Sequence, residues 1–183
     1  MMSRGKLIVL SGPGGVGKST IVYELKKKDH FYFSVSATTR QPRIGEEDGV
    51  AYHFVSNEQF QNMIDAGVFL EWADFAGARY GTPRQPVLEA LDAGKNVLLE
   101  IEIAGARQVK VAMPEAMMVF LQPPSISELE ARITNRGTDT PERIAARLAL
   151  ARAEMAAAGE FDHILTNHRV DEVINSLVSL AAS

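Results

Sequence analysis

Gly12-Pro13-Gly14-Gly15-Val16-Gly17-Lys18-Ser19 is a complete G-x-x-x-x-G-K-[ST] phosphate-binding loop. Residues 6–10 (KLIVL) ahead of it read as a short buried strand, and residues 20–26 (TIVYELK) put Ile21, Val22 and Leu25 on one helical face. Strand, glycine loop and helix is the context in which the pattern has chemical meaning. The glycines let consecutive backbone N–H groups turn inward around phosphate oxygens, and the helix N-terminus adds roughly half a positive charge at the same spot. Lys18 is placed to reach β- and γ-phosphates, and the Ser19 hydroxyl to ligate Mg²⁺. With Thr20 just inside the helix, the loop residues Gly12, Pro13, Gly14, Gly15, Val16, Gly17, Lys18 and Ser19 are the candidate contacts to a nucleoside triphosphate. The bland alternative, a Gly-rich turn between strand and helix, leaves the Lys-Ser pair unexplained.

The rest of the chain bounds what surrounds this loop. At 183 residues it is long enough for one compact domain with inserted lobes. A formal net charge of −4 argues against a nucleic-acid surface, which is ordinarily basic. There is no cysteine, so disulfides, thiolate metal sites and a cysteine nucleophile are excluded, and the four histidines lie too far apart to pair as ligands. The chain runs from Met1 almost directly into the first strand, and no apolar run approaches the roughly 20 residues of a membrane span. A soluble, cytoplasmic protein with no nucleic-acid or membrane partner is the expectation.

Apolar strands are predicted at 32–36, 51–55, 69–75, 79–82, 96–101, 116–121 and 161–165. Helices are predicted at 58–65 (capped by Ser56 or Asn57), 86–93, 106–112, 127–135, 141–158 and 170–181. Helices alternating with apolar strands predict an α/β fold with a doubly wound parallel sheet of the P-loop NTPase type. The middle of the chain differs: residues 34–82 read as a small mixed β lobe inserted into a core of 1–33, 83–125 and 159–183. Residues 126–158 read as a pair of helices set outside that core. In the lobe, Phe69-Leu70-Glu71-Trp72-Ala73-Asp74-Phe75 alternates with period two. That would place Glu71 on the face of Phe69 and Ala73, an odd site for a carboxylate without a partner. Its bland reading is an edge-strand charge facing water. Tyr52, Trp72 and Phe75 read as lobe packing.

Residues 36–43 (SATTRQPR) carry Arg40 and Arg43 beside hydroxyls, with Tyr52 downstream, a pattern suited to a second dianionic phosphate held by guanidinium forks. A basic turn paired with Glu46, Glu47 and Asp48 is the alternative from composition. Arg132, Arg136 and Arg147 are either a solvated face or groups that close on a transferring phosphoryl.

The wording of the chain bears on both questions. Residues 34–55 (SVSATTRQPRIGEEDGVAYHFV), Phe69-Leu70-Glu71-Trp72, Arg79-Tyr80-Gly81-Thr82, Leu99-Glu100-Ile101-Glu102, the segment 132–138 with its intact RGT, and Thr166-Asn167 together resemble the guanylate kinases along essentially the full length. The resemblance implies ATP-dependent phosphorylation of GMP to GDP, with Mg²⁺ as cofactor, ATP and GMP as partners, and dGMP and the oligomeric state left open. It implies that Arg40, Arg43, Tyr52 and Tyr80 hold the GMP phosphate, and that Ser36, Glu71, Thr82 and Glu102 recognise guanine. It also implies that Arg132, Arg136 and Arg147 belong to a mobile lid on the ATP phosphates, and that Asn167 lies near the ATP base. On this reading Lys18, Arg40, Arg136 and Arg147 are catalytic, Arg132, Arg136 and Asn167 join the loop in binding ATP, and Glu100 joins Ser19 at the metal. Guanine chemistry agrees, since a carboxylate answers N1–H and the 2-amine, and a hydroxyl such as Thr82 or Ser36 can serve O6. Ala37, Ala51, Ala104, Glu100 and Glu102, and His168-Arg169 depart from residues frequent in the family. Two rivals stand beside it: a phosphotransferase of the same fold for another phosphorylated ribose compound, and a non-catalytic binding module of guanylate-kinase type. Such modules typically lose the phosphate loop, which this chain keeps.

Overall fold

The computed structural model describes residues 3–135, 137 and 139–183. Its centre is a four-stranded, all-parallel sheet in the order β6-β1-β7-β8, built from β1 (Leu7–Ser11), β6 (Val97–Glu100), β7 (Met117–Gln122) and β8 (His163–Thr166). Burial on both faces explains why these strands are nearly all apolar. Along β1 the side chains alternate between two cores: Leu7 and Val9 pack on one side with Val87, Leu91, Ala106 and Val109, and Ile8 and Leu10 on the other with Ile21, Leu25, Ile174 and Leu177. The first group of partners comes from α3 (Arg84–Asp92) and α4 (Ile103–Ala112), the second from α1 (Lys18–Lys26) and α7 (Val170–Ala182). Helices cover both faces, as the doubly wound reading requires. β1 connects to β6 on one side while β7 connects to β8 on the other, so the switch point of the sheet lies between β1 and β7, and the glycine loop leaves the carboxyl end of β1 beside it.

The inserted lobe is a second, mixed sheet in the order β3-β2-β5-β4, from β2 (Ala37–Thr38), β3 (His53–Phe54), β4 (Phe69–Phe75) and β5 (Ala78–Pro83). It has its own small core of Ala37, Phe60 and Phe69 under Trp72. Phe60 comes from α2 (Asn57–Asp65), whose start is set by Ser56: its hydroxyl accepts from the Gln59 N–H while the Gln59 side chain accepts from the Ser56 N–H. A predicted strand at 32–36 is instead a single bridge of Tyr32 to Val97, after which the chain leaves the central sheet and pairs in the lobe only at β2. α5 (Ile126–Thr134) and α6 (Pro141–Ala156) pack on each other through Leu129, Ile133, Leu148 and Ala151. A 3₁₀ turn at Ala157–Glu160 then leads into β8. No helix among the described residues is long and apolar enough to cross a membrane.

The strict alternation expected along β4 is broken by a β-bulge: Phe69 lies opposite Pro83 but Glu71 opposite Thr82, so β4 carries one extra residue. Phe69 and Trp72 therefore both reach Phe60, with ring centroids 4.6 and 6.3 Å away. Leu70 joins the core under α3 and α4. The bulge separates Glu71 from the face of Phe69 and turns it toward the crevice.

Candidate active site

Two cavities meet at the carboxyl ends of β1 and β6. The loop-side cavity, about 700 Å³, is walled by Gly14, Gly15, Gly17, Lys18, Ser19 and Thr20, and by Arg132 and Arg147. The lobe-side cavity, about 420 Å³, brings together Ser36, Arg40, Arg43, Tyr52, Glu71 and Tyr80. Ser19, Phe75, Glu100 and Glu102 line both, so they form the wall where the two spaces join.

In the loop, Gly17 caps α1 with φ +106°, a conformation that favours glycine, and a Cβ there would stand 2.7 Å from Asn167 Nδ2. Asn167, 7% exposed, donates that Nδ2 to the Val16 carbonyl at 2.8 Å. It clasps the loop from the end of β8 and is not among the residues lining the loop-side cavity. Lys18 Nζ donates to the carbonyls of Gly12 (2.6 Å) and Pro13 (3.2 Å), lying across its own loop. Arg132 reaches over from α5 to the Val16 carbonyl at 3.4 Å. Arg147 of α6 is held by Asp139, Nη1 to Oδ2 at 2.5 Å. Glu154, also on α6, accepts from the Gly14 N–H at 3.1 Å, a contact no sequence signal announced. Burial pushes its carboxyl pKa up, partly offset by that hydrogen bond. Arg136 lies outside the described residues, and α5 itself ends at Thr134.

On the lobe side, Arg40 and Glu46 form a two-pronged pair, Nη1 to Oε2 at 3.0 Å and Nη2 to Oε1 at 2.9 Å. Glu46 also accepts from the Arg43 N–H at 2.7 Å. The Arg40 guanidinium and the Arg43 N–H hold the Glu46 pKa down at about 2, and the same pairing raises that of Arg40. The pairing with acidic neighbours foreseen as an alternative is thus real, and it fixes the guanidinium fork over the Tyr52 ring, 5.3 Å from its centroid, in the cavity wall.

Glu71 is 7% exposed and Thr82 1%. The Thr82 hydroxyl donates to Glu71 Oε1 at 2.7 Å, and burial raises the Glu71 pKa against that bond. Thr82 does not line the lobe-side cavity but a smaller adjoining one of about 160 Å³. Its hydroxyl is directed at Glu71 and orients that carboxyl group. Phe75, read as packing, is 53% exposed and edges Tyr80 on the shared wall. Ala73, Gly81 and Ile101 in the lobe-side lining, and Ile133 and Asn135 in the loop-side lining, carry no chemistry that a sequence pattern could flag.

Among the described residues no three His, Cys, Asp or Glu groups cluster as a metal cage. Mg²⁺ keeps several waters and takes only one or two protein oxygens beside substrate phosphates, so the pair of Ser19 hydroxyl and Glu100 carboxyl at the joining wall fits it. Burial raises the Glu100 pKa, the charge of Lys18 lowers it and that of Glu102 raises it.

A phosphate loop on a doubly wound sheet, facing an arginine-lined second cavity across a shared acidic wall, defines a P-loop phosphotransferase. The comparisons with known proteins narrow that class. A family model for guanylate kinase matches residues 4–183, and the chain belongs to the guanylate kinase family. It is 56% identical over 179 residues to the guanylate kinase of Streptomyces coelicolor, covering 97% of this chain and 91% of that one. It is 51% identical over 178 residues to that of Synechocystis, covering 97% and 93%. Among solved structures, guanylate kinase from Anaplasma phagocytophilum superposes with a TM-score of 0.77 at 29% identity, covering 98% of this chain and 86% of that one.

Proposed function

We propose that the chain moves the γ-phosphoryl of ATP to GMP, giving ADP and GDP, with ATP on the phosphate loop and GMP in the lobe-side cavity. The observation that supports the division is the shared wall of Ser19, Glu100 and Glu102, across which a phosphate in one cavity would face a phosphate in the other. The acceptor phosphate is held by Arg40, Arg43, Tyr52 and Tyr80. Glu46 keeps the Arg40 fork in place before substrate arrives, which spares ordering entropy on binding. Glu71 accepts from guanine N1–H and the 2-amine, Thr82 orients it, and Ser36 and Glu102 complete the base contacts.

On the donor side, the loop N–H groups and Lys18 take the β- and γ-phosphates, and Arg132, Arg136 and Arg147 approach from the lid region 126–158. Asn167 holds the loop in shape from the end of β8, supporting ATP binding through the backbone. Charge spreads over the equatorial oxygens during transfer, and fixed cations there lower the barrier. No general base is required, because the acceptor phosphate, with a second pKa of about 6, is ionised at neutral pH. Ser19 and Glu100 would hold Mg²⁺, which when bound neutralises phosphate charge. The enzyme's place is the cytoplasm, where both substrates are found. The lobe 34–82 and the lid close on the core to exclude water.

ADP formation over a panel of nucleoside monophosphates tests this reading. AMP has an acceptor at N1 and no 2-amine, so it leaves a buried carboxylate facing a lone pair, and sites built to pair polar groups reject such analogues by roughly 10⁴-fold. IMP, which lacks only the amine, falls between. Comparable kcat/KM for AMP and GMP would refute the assignment of Glu71.

A further inference from the structure

One face of α4 bears on Glu71 and its neighbour, and neither contact belongs to a substrate site. β4 is an edge strand, and at Trp72 both backbone polar groups point away from β5. In place of another strand, the Gln108 side chain answers both: Oε1 accepts from the Trp72 N–H at 3.1 Å, and Nε2 donates to the Trp72 carbonyl at 2.8 Å. A primary amide presents the same donor and acceptor as a peptide, so Gln108 acts as a one-residue strand partner. Three residues earlier, one turn back on the same face, is Gly105. A Cβ there would stand 2.5 Å from Glu71 Oε2 and 3.2 Å from Cδ. Each carboxylate oxygen is therefore seated: Oε1 by the Thr82 hydroxyl, Oε2 against the bare backbone of Gly105. The Phe69 and Trp72 side chains pack on Phe60 of α2, whereas the Trp72 backbone and the Glu71 carboxylate meet α4 of the central fold.

We propose that Gly105 and Gln108 are positioning residues for base selection. They lock the bulged strand to α4 so that the Glu71 carboxylate is fixed relative to the core that carries the phosphates. This rests on the reading of Glu71 as the guanine-binding group. Without the clasp, Glu71 stays in the pocket but loses its fixed aim at N1–H and the 2-amine, and the protein discriminates less between GMP and IMP. The phosphate loop, on the far side of the shared wall, is untouched.

The test is a cycle of full-length variants, Gln108→Met, Glu71→Gln and the double variant, with kcat/KM measured for GMP and IMP and KM for ATP. Gln108→Met keeps the side-chain length and removes both hydrogen bonds. It is expected to reduce the GMP-to-IMP preference about tenfold, the scale of a buried polar group left unmatched. The loss falls on KM for GMP, with kcat and KM for ATP within about twofold of wild type, and the same substitution adds no further loss on Glu71→Gln. Gly105→Ala gives the same signature by crowding Oε2, and it carries the cycle if Gln108→Met does not fold. A wild-type GMP-to-IMP preference in folded variants overturns the proposal, as does equal loss on both nucleotides or additivity in the double variant. A wild-type enzyme that takes IMP as readily as GMP refutes the Glu71 reading itself and this proposal with it.

Discussion

Lys18 shows how one side chain braces the loop it belongs to. Its ammonium lies on the carbonyls of Gly12 and Pro13, where it supplies hydrogen bonds that an alanine could not. Under the proposed function the same flexible stem swings to β- and γ-phosphate oxygens when ATP binds. Lys18→Ala is expected to lower kcat/KM at least tenfold, or ~1.4 kcal/mol, in steady-state assays, with secondary structure by circular dichroism unchanged. Near-normal turnover would remove Lys18 from the machinery. Glu71 presents the opposite balance, function against stability. Burial raises its pKa above the ordinary 4.5, so as pH rises through that value the unfolded chain releases the proton first, and folding becomes progressively less favourable. Above the folded-state pKa the whole deficit is present. Glu71→Gln has no such deficit and can still accept from Thr82. In thermal melts without nucleotide its stability should overtake that of wild type as pH rises from below 4.5 to neutrality, while GMP use falls. A constant difference across that range would show that burial does not perturb the carboxyl.

Among elements, β4 and α6 contribute most to the site. On β4, one inserted residue sends Leu70 into the central core, Trp72 into the lobe core and Glu71 into the crevice, three destinations within three residues. α6 carries Arg147 on the loop-side cavity and Glu154 on the Gly14 N–H, so one helix bears both a cation and an anion for the phosphate loop. Arg147→Ala should lower kcat more than it raises KM for GMP, because the proposed function sets it against the transferring phosphoryl. The measurement is a full kinetic matrix in both substrates, and an effect confined to GMP binding would place Arg147 on the acceptor side.

At the scale of the whole molecule, stability is divided unevenly. The central strands are buried on both faces within two large cores, whereas the lobe rests on a core of only Ala37, Phe60 and Phe69 with partly buried neighbours. Opening free energies follow buried apolar contact, so amide hydrogen exchange should be slowest in β1 and β7 and markedly faster in β2 and β3. GMP should slow exchange in the lobe more than ATP does. Uniform protection across both sheets would mean that lobe and core open as one unit.

Local sequence by itself determined the parts whose physics is local. The glycine loop is legible because its spacing, between a strand and a helix with Lys-Ser at the end, suits backbone N–H groups turned around phosphate. The apolar runs at β1, β6 and β7 follow from burial on two faces, and the start of α2 follows from Ser56 and Gln59 bonding across three residues. The cations and carboxylates of both cavities were legible as types only through the resemblance of residues 34–55 and 69–72 to the guanylate kinases, because composition alone left open a basic turn for Arg40 and Arg43 and an edge-strand charge for Glu71. Tertiary structure alone decided their company. The bulge in β4 depends on how the strand meets β5, and the Glu46 pairing on how the 40–46 turn folds back. Asn167 on Val16, Glu154 on Gly14 and Gln108 on Trp72 join residues 151, 140 and 36 positions apart. No periodicity or propensity within a segment carries such information, because these contacts gain their free energy only after the sheet has brought distant segments to one edge.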